Sequence, residues 1–253
     1  MLACNLCGEA ARSRQHYLAG SISRTDHGFR ILSFISETLT LTVYSGSRKG
    51  GKHTENQDAI GVRNLADDRL ILVIADGIGS HAYGGSVARW IVEKHLMADD
   101  IPNSLDGYLE SLHRQFQIEF EDIDEMIESG ATLSLAEISS DSADIYWAGD
   151  SPVFHTRCNP SLSTKLIAEP HSGAGGALTK CFVGSRSFDP SRKQIALHPG
   201  DVLTLASDGF VVDESSLSYE VSNGISQDSI DLLLEDSVTS PGSDDASVIC
   251  YVH

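Results

Sequence analysis

The stretch Leu70–Gly85, LILVIADGIGSHAYGG, decides how the rest of this sequence is read. Its first half is an apolar, β-branched run of strand length, and it stops at Asp76-Gly77, a turn pair. Similar punctuation recurs in IYWAGDS at Asp150 and in LTLASDG at Asp208. Two further aspartates, Asp58 in ENQDA and Asp244 in SDDASVICYV, stand beside strand-like runs. Any one Asp-Gly pair is most simply a turn. Several apolar strands with carboxylates at their ends are what a protein needs to hold hard divalent cations at the rim of a sheet, the pattern of a two-metal hydrolase.

Composition bounds the alternatives. The 253 residues suit one large domain or two small ones, and 41% hydrophobic content suits a buried core. No run is long and apolar enough to span a membrane. Eighteen basic against 36 acidic residues give a formal charge of −18, which repels nucleic acid and anionic lipid. Neither is expected as a partner. A phosphorylated substrate is still compatible, because bound metal inverts the local field in a cleft. The five cysteines, Cys4, Cys7, Cys158, Cys181 and Cys250, are an odd count that argues against a disulfide framework and for a reducing cytoplasm. The N-terminus lacks the basic start and apolar run of a secretory signal. Cys4 and Cys7 could bind zinc with His16 and His27, but the spacing is not that of a known site, and an inert segment is the simpler expectation.

Along the chain, residues 1–36 read as a poorly ordered N-terminal extension and residues 37–253 as one domain. Strands are expected at ILSFI, TLTLTVYS, DAIGV and RLILVIA, with the Gly-rich SGSRKGGKHTEN as a loop between the second and third. GGSVARWIVEKHLMA predicts a helix burying Val87, Trp90 and Ile91. A longer helix is expected over residues 105–129, where Leu109, Leu112, Phe116, Phe120, Ile123 and Ile127 recur at helical steps. ATLSLAEI, ADIYWAG, PVFHTR, STKLIA, VLTLAS and ASVICYV supply further strands, and ISQDSIDLLLEDSV a late helix. Antiparallel strands with an early helical pair and a late helix point to an α+β fold with packed sheets and outer helices.

Seven motifs in order carry a resemblance: NQDA, ADGIGSHAYGG, GAT, AGDS, ALTKCFVG, HPGDVLTLASDG and DDASV. Together they resemble the type 2C family of metal-dependent protein serine/threonine phosphatases, in its bacterial-like form, over residues 37–253. The resemblance implies a four-layer α/β/β/α sandwich, two antiparallel sheets flanked by helix pairs. It implies two Mn²⁺ or Mg²⁺ ions, with Asp76 bridging them and the Gly77 carbonyl beside it. Asp208 and Asp244 would complete the second ion, Asp58 would orient the metal-bound waters, and Asp150 with Asp208 would form a third, weaker site. The implied activity is hydrolysis of phosphoserine and phosphothreonine in proteins, by water activated between the ions. The implied partner is a phosphoprotein, the substrate of a Ser/Thr kinase, met by a monomeric phosphatase.

Two departures from the family pattern stand out. An arginine that grips the substrate phosphate is usual five residues before Asp58; here that position is His53, a weaker donor that is charged only at lower pH. His53 is expected to take this role as imidazolium, with Lys52 or Arg48 nearby, or else to be a plain loop residue. The segment IAEPHSGAGGA replaces a longer one that carries a mobile flap in most relatives, so a more open cleft is expected. Gln57 stands where glutamate is frequent, and His81 reads as a second-layer or proton-donating residue. These departures keep an alternative alive, a catalytically weakened, phosphatase-like regulatory binding module.

Overall fold

The computed structural model describes residues 23–25, 28–30, 34–35, 40–65, 68–98, 101–102, 104–173 and 175–253, with side chains from residue 42 onward. Cys4, Cys7, His16 and His27 lie outside the described residues, as does most of the 1–36 extension. Within that extension three short strands are described, β1 (Ser23–Thr25), β2 (Gly28–Arg30) and β3 (Phe34–Ile35). Strands β4 (Thr40–Arg48), β5 (Asp58–Asn64) and β6 (Leu70–Asp76) then precede helices α1 (Gly84–Met97), α2 (Leu105–Glu119) and α3 (Asp124–Ile127). Next come β7 (Gly130–Ala131), β8 (Leu133–Ile138), β9 (Ser142–Ala148) and β10 (Val153–Arg157). They are followed by β11 (Ser163–Leu166), β12 (Phe182–Val183), β13 (Ser191–Ala196) and β14 (Val202–Ala206). Helices α4 (Glu214–Ser222) and α5 (Gln227–Ser237) lead to the last strand, β15 (Ala246–Val252).

Two antiparallel sheets form the body, in the orders β13-β9-β8-β6-β5 and β11-β10-β14-β15-β4-β3. Their facing sides share one apolar layer in which Leu72 and Ile74 of β6 meet Leu203, Leu205, Ile249 and Val43 of the opposite sheet. On the outside of the first sheet, α1 and α2 pack on Ile71, Val73 and Ala75. On the outside of the second, Ile230 and Leu234 of α5 pack on Val248 and Cys250, and α4 lies against β10 and β11. The result is the α+β architecture of two large sheets between helical layers.

The unbroken apolar run of β6 follows from this layering. Successive strand side chains point to opposite faces, so a strand that is covered on both must be apolar at every position. Leu70, Leu72 and Ile74 enter the layer between the sheets, and Ile71, Val73 and Ala75 enter the layer under the helices. The polar tripeptide 139–141 closes the β8–β9 hairpin, with Ser139 N–H donating to the Ser142 carbonyl at 2.9 Å.

The structure departs from the expected elements in four places, the first being that β4 runs on through Ser45–Arg48, residues expected to begin the loop, because they pair with β15. The helix expected over 105–129 ends at Glu119, and Phe120 closes it by donating its N–H to the Phe116 carbonyl. The chain turns through 120–123 and re-forms one helical turn as α3, which puts Met126 into the core and leaves Ile123 46% exposed. Leu109, Leu112 and Phe116 are buried as expected, and Trp90 of α1 meets Phe116 edge-on at 5.0 Å. Strand β13 is an edge strand whose residues SRKQIA are mostly exposed, so it carries no apolar alternation to read. Helix α4 buries Leu217 alone, too little for a periodic face; Asp213 starts it by accepting the Ser216 N–H.

No helix among the described residues is long and apolar enough to cross a membrane. Leu72, fully buried between the sheets, is a sensitive probe of the layered core. Leu72→Ala is expected to lower stability by about 2–5 kcal/mol, read as a lower urea midpoint at unchanged slope.

Candidate active site, a carboxylate cleft at the strand ends

Strands β5 and β6 pair so that Asp58 lies directly opposite Asp76. Asp76 ends β6, where its N–H donates to Thr132 Oγ1 at 3.0 Å and its carbonyl accepts the Thr132 N–H at 2.8 Å. The GAT segment thus fixes the backbone of the central aspartate from the neighbouring strand. Beyond it the chain doubles back into α1. A Cβ on Gly77 would sit 2.4 Å from the Gly84 carbonyl carbon, and one on Gly84 would sit 2.6 Å from the Ile78 oxygen. The Asp-Gly and Gly-Gly pairs of the opening motif are therefore needed for the start of α1 to pass against the strand end.

A cleft of about 480 Å³ opens here, lined by Asp76, Gly77, Asp150, Asp208 and Asp244 together with Lys52, His53 and Thr132. Asp58 lies beneath it, 8% exposed. Its Oδ2 accepts the Ser207 hydroxyl at 2.8 Å, while its Oδ1 is buried without a hydrogen-bond partner. Ser207 in turn accepts the Ser247 N–H at 2.9 Å, which knits β14 and β15 beneath the cleft. Burial pushes the Asp58 carboxyl up to about 7, opposed by the nearby hydroxyls of Ser247 and Ser207 and helped by the charges of Asp245 and Asp208. Asp76 is raised well above the carboxylate range, first by burial and then by the charges of Asp58, Asp208 and Asp244. Asp150 is raised by burial and by Asp208. These groups lie close enough to resist sharing their full charge, the condition that a bound cation relieves.

Several participants carried no clear signal in the sequence. Asp245, the less exposed neighbour of Asp244, accepts Gly50 N–H and Gln57 N–H, each at 2.8 Å, and so ties the 49–57 loop to the start of β15. Lys52 donates to Asp244 Oδ2. The ligand-type atoms of His53, Asp244 and Asp245 all lie within 4.8 Å of one another. A DD pair announces two carboxylates without saying which of them staples a loop, because that depends on where residues 49–57 land. The only sequence hint was the Gly50-Gly51 pair. A Cβ on Gly50 would lie 2.1 Å from the Asp244 carbonyl oxygen.

The other expected residues fall as follows. The His53 ring stands against Gly79, where a Cβ would lie 2.6 Å from Cε1, and its Nδ1 is 3.9 Å from Asp245 Oδ2. Arg48 does not line the cleft; its Nη2 meets Asp231 of α5 at 3.5 Å. His81 is held in a turn by its N–H to the Ile78 carbonyl at 2.8 Å. The Gln57 amide oxygen is buried with no hydrogen-bond partner. The segment 167–178 folds back on itself, with Ser172 bridged to Leu178, and among the described residues it gives Gly176 and Leu178 to the cleft wall. His171 anchors it: the ring stacks on Trp147 at 5.8 Å, and Nδ1 accepts the Gly149 N–H at 3.2 Å, beside Asp150.

The family profile of protein phosphatase 2C matches residues 45–238. Comparison with curated protein sequences finds no match. Among solved structures, the chain is similar to a serine/threonine phosphatase from Staphylococcus aureus at 19% identity, with 88% of this chain and 96% of that one covered and a TM-score of 0.72. It is similar to PppA of Pseudomonas aeruginosa, a regulatory component of its type VI secretion system, at 24% identity, 84% and 98% coverage and a TM-score of 0.68. A third is the catalytic domain of the phosphatase PstP in complex with two manganese ions, at 20% identity, 84% and 97% coverage and a TM-score of 0.67. At these identities the likeness is one of fold.

The crowded carboxylates make the metal-free chain sensitive to pH. Burial raises the Asp58 carboxyl from its ordinary 3.8 to about 7, so the neutral form is favoured by folding. Its contribution is complete below the unfolded value and is lost as pH rises through the folded one. Thermal unfolding of chelator-treated protein is expected to show stability falling from pH 4 to 7, and Asp58→Asn is expected to flatten that slope.

Proposed function

The chain belongs to the protein phosphatase 2C family of metal-dependent serine/threonine phosphatases, and from that premise we propose that it hydrolyses phosphoserine and phosphothreonine esters in proteins. The observation that carries this reading is the convergence of Asp76, Asp150, Asp208 and Asp244 on one cleft above the buried Asp58.

The residues present fit hard divalent cations. The acidic donors of the cleft are carboxylate oxygens, which select Mg²⁺ or Mn²⁺ over softer metals. The unpartnered, buried Oδ1 of Asp58 and the raised Asp76 and Asp150 are what a cluster short of positive charge displays. Asp76 with the Gly77 carbonyl would hold two ions, Asp208 and Asp244 would complete the second, and Asp150 with Asp208 would offer a third place. When bound, such ions supply Lewis acidity, lowering the pKa of a water and neutralising charge on the phosphoryl oxygens.

The chain's own residues do the rest. Thr132 fixes the direction of Asp76 through two hydrogen bonds with its backbone. Ser207 holds Asp58 Oδ2, leaving Oδ1 free to accept from a water and orient it. His53 forms part of the wall on which a phosphate would rest. The short Gly176–Leu178 edge leaves the cleft open enough for a phosphorylated residue on a polypeptide. The partner on this reading is a phosphoprotein made by a Ser/Thr kinase, met by a monomer in the cytoplasm. The free thiols of Cys158, Cys181 and Cys250 are compatible with a reducing compartment, and a charge of −18 disfavours nucleic acid and anionic membranes.

The test is Mn²⁺-dependent phosphate release from a phosphothreonine peptide by the full chain. Chelation is expected to abolish turnover and added Mn²⁺ to restore it. Asp76→Asn is expected to lower kcat/KM by on the order of 10²- to 10³-fold. Turnover that survives Asp76→Asn would sink the metal-centred reading. A folded, Mn²⁺-binding chain with no turnover would instead point to the regulatory binding module.

A further inference from the structure

We infer that Lys52 is an exchangeable counter-ion of this cleft: its ammonium holds Asp244 in the metal-free chain and moves to a phosphate oxygen of the substrate once a divalent cation takes Asp244. The inference rests on the phosphatase reading above.

Among the described residues, Lys52 is the only lysine or arginine lining a cleft that holds four aspartates. Its Nζ donates to Asp244 Oδ2 in an ion pair and also feels the charges of Asp208 and Asp76. It thus sits where positive charge is most needed while no metal is present. A dication on the Asp244 carboxylate and an ammonium on the same group would repel each other, so binding of one displaces the other.

The lysine is built to move while its backbone stays fixed. Its N–H donates to the Ser243 carbonyl at 3.0 Å, and Gly50 N–H is held by Asp245. At Gly51 a Cβ would lie 2.0 Å from the Pro241 carbonyl oxygen, so the loop lies flat against 241–244. By contrast, the Lys52 side chain is 52% exposed on an unbranched stem. The neighbouring imidazole lacks that freedom: the His53 side chain is 12% exposed and is walled by Gly79. The cation able to reach a phosphate over this cleft is therefore one residue earlier than the sequence pattern indicates. A lysine binds phosphate as a point charge, without the planar fork of an arginine.

The test uses the full chain and its Lys52→Met and Lys52→Arg variants, with urea midpoints to show that all three fold. Calorimetric titration of chelator-stripped protein with Mn²⁺ reads the first half of the exchange, and inhibition of peptide turnover by inorganic phosphate reads the second. Lys52→Met is expected to bind Mn²⁺ about 2- to 5-fold tighter, because a competing cation is gone. The same variant is expected to raise the inhibition constant for inorganic phosphate by about tenfold, and Lys52→Arg to keep it near the wild-type value. Opposite shifts are the signature, since a mere disturbance of the loop would weaken both. Unchanged or weaker Mn²⁺ binding by Lys52→Met, or an unchanged inhibition constant, overturns the inference alone, provided the wild type binds Mn²⁺ and turns over the peptide. A wild type that does neither removes the phosphatase reading, and this inference with it.

Discussion

Strand β6 is covered on both faces, and the other layers take their places from it. One set of its side chains closes the space between the sheets and the other seats α1 and α2. Burying a side chain the size of Leu or Ile contributes about 1.5–3 kcal/mol, so a strand buried at six successive positions is hard to shift by a residue in either direction. That rigidity matters at its end. Asp76 is the first residue past the apolar run, and its position is set by everything packed before it.

The same rigidity creates an electrostatic conflict. Asp58 faces Asp76 across the ladder, both in surroundings that water reaches poorly, and the more exposed Asp208 lies close to both. Packing covers Asp58 and Asp76, and the cluster they form with the more exposed carboxylates requires positive charge. The chain answers locally with hydroxyls, as Ser207 does for Asp58, and with one ammonium, as Lys52 does for Asp244. Neither answer neutralises Asp76, which is why the cluster reads as a place for cations and not as a stabilising polar network.

The parts of this arrangement that are written as runs of residues could be read from the sequence, and the parts that depend on where two distant loops meet could not. LILVIA announces a strand and ADG its end; the helix over 84–98 shows its buried face in Val87, Trp90 and Ile91. The resemblance of seven motifs to the type 2C family agrees with the family profile over residues 45–238. Strand β13 and helix α4 were invisible because an edge strand and a helix with a single buried anchor need no periodic pattern. The break after Glu119 was hidden by a periodicity that continued through Phe120, Ile123 and Ile127 while the chain turned. At the cleft, the aspartates could be named in advance, but the division of labour between Asp244 and Asp245, and between Lys52 and His53, is set by how residues 49–57 lie on residues 241–245.

That loop contact bears on recognition. Among the described residues, the segment 167–178 gives the cleft wall Gly176 and Leu178, neither of which offers a charged group to a peptide around a phosphorylated residue. Discrimination then falls on the phosphate itself, on its charge and on the geometry of the cations around it. An arginine would add directional hydrogen bonds to that recognition; a lysine adds charge and freedom of movement. On the proposed reading, a site built this way would select for a phosphomonoester more strongly than for its sequence context. Sequence preference, where the chain has any, must then come from surfaces outside the cleft.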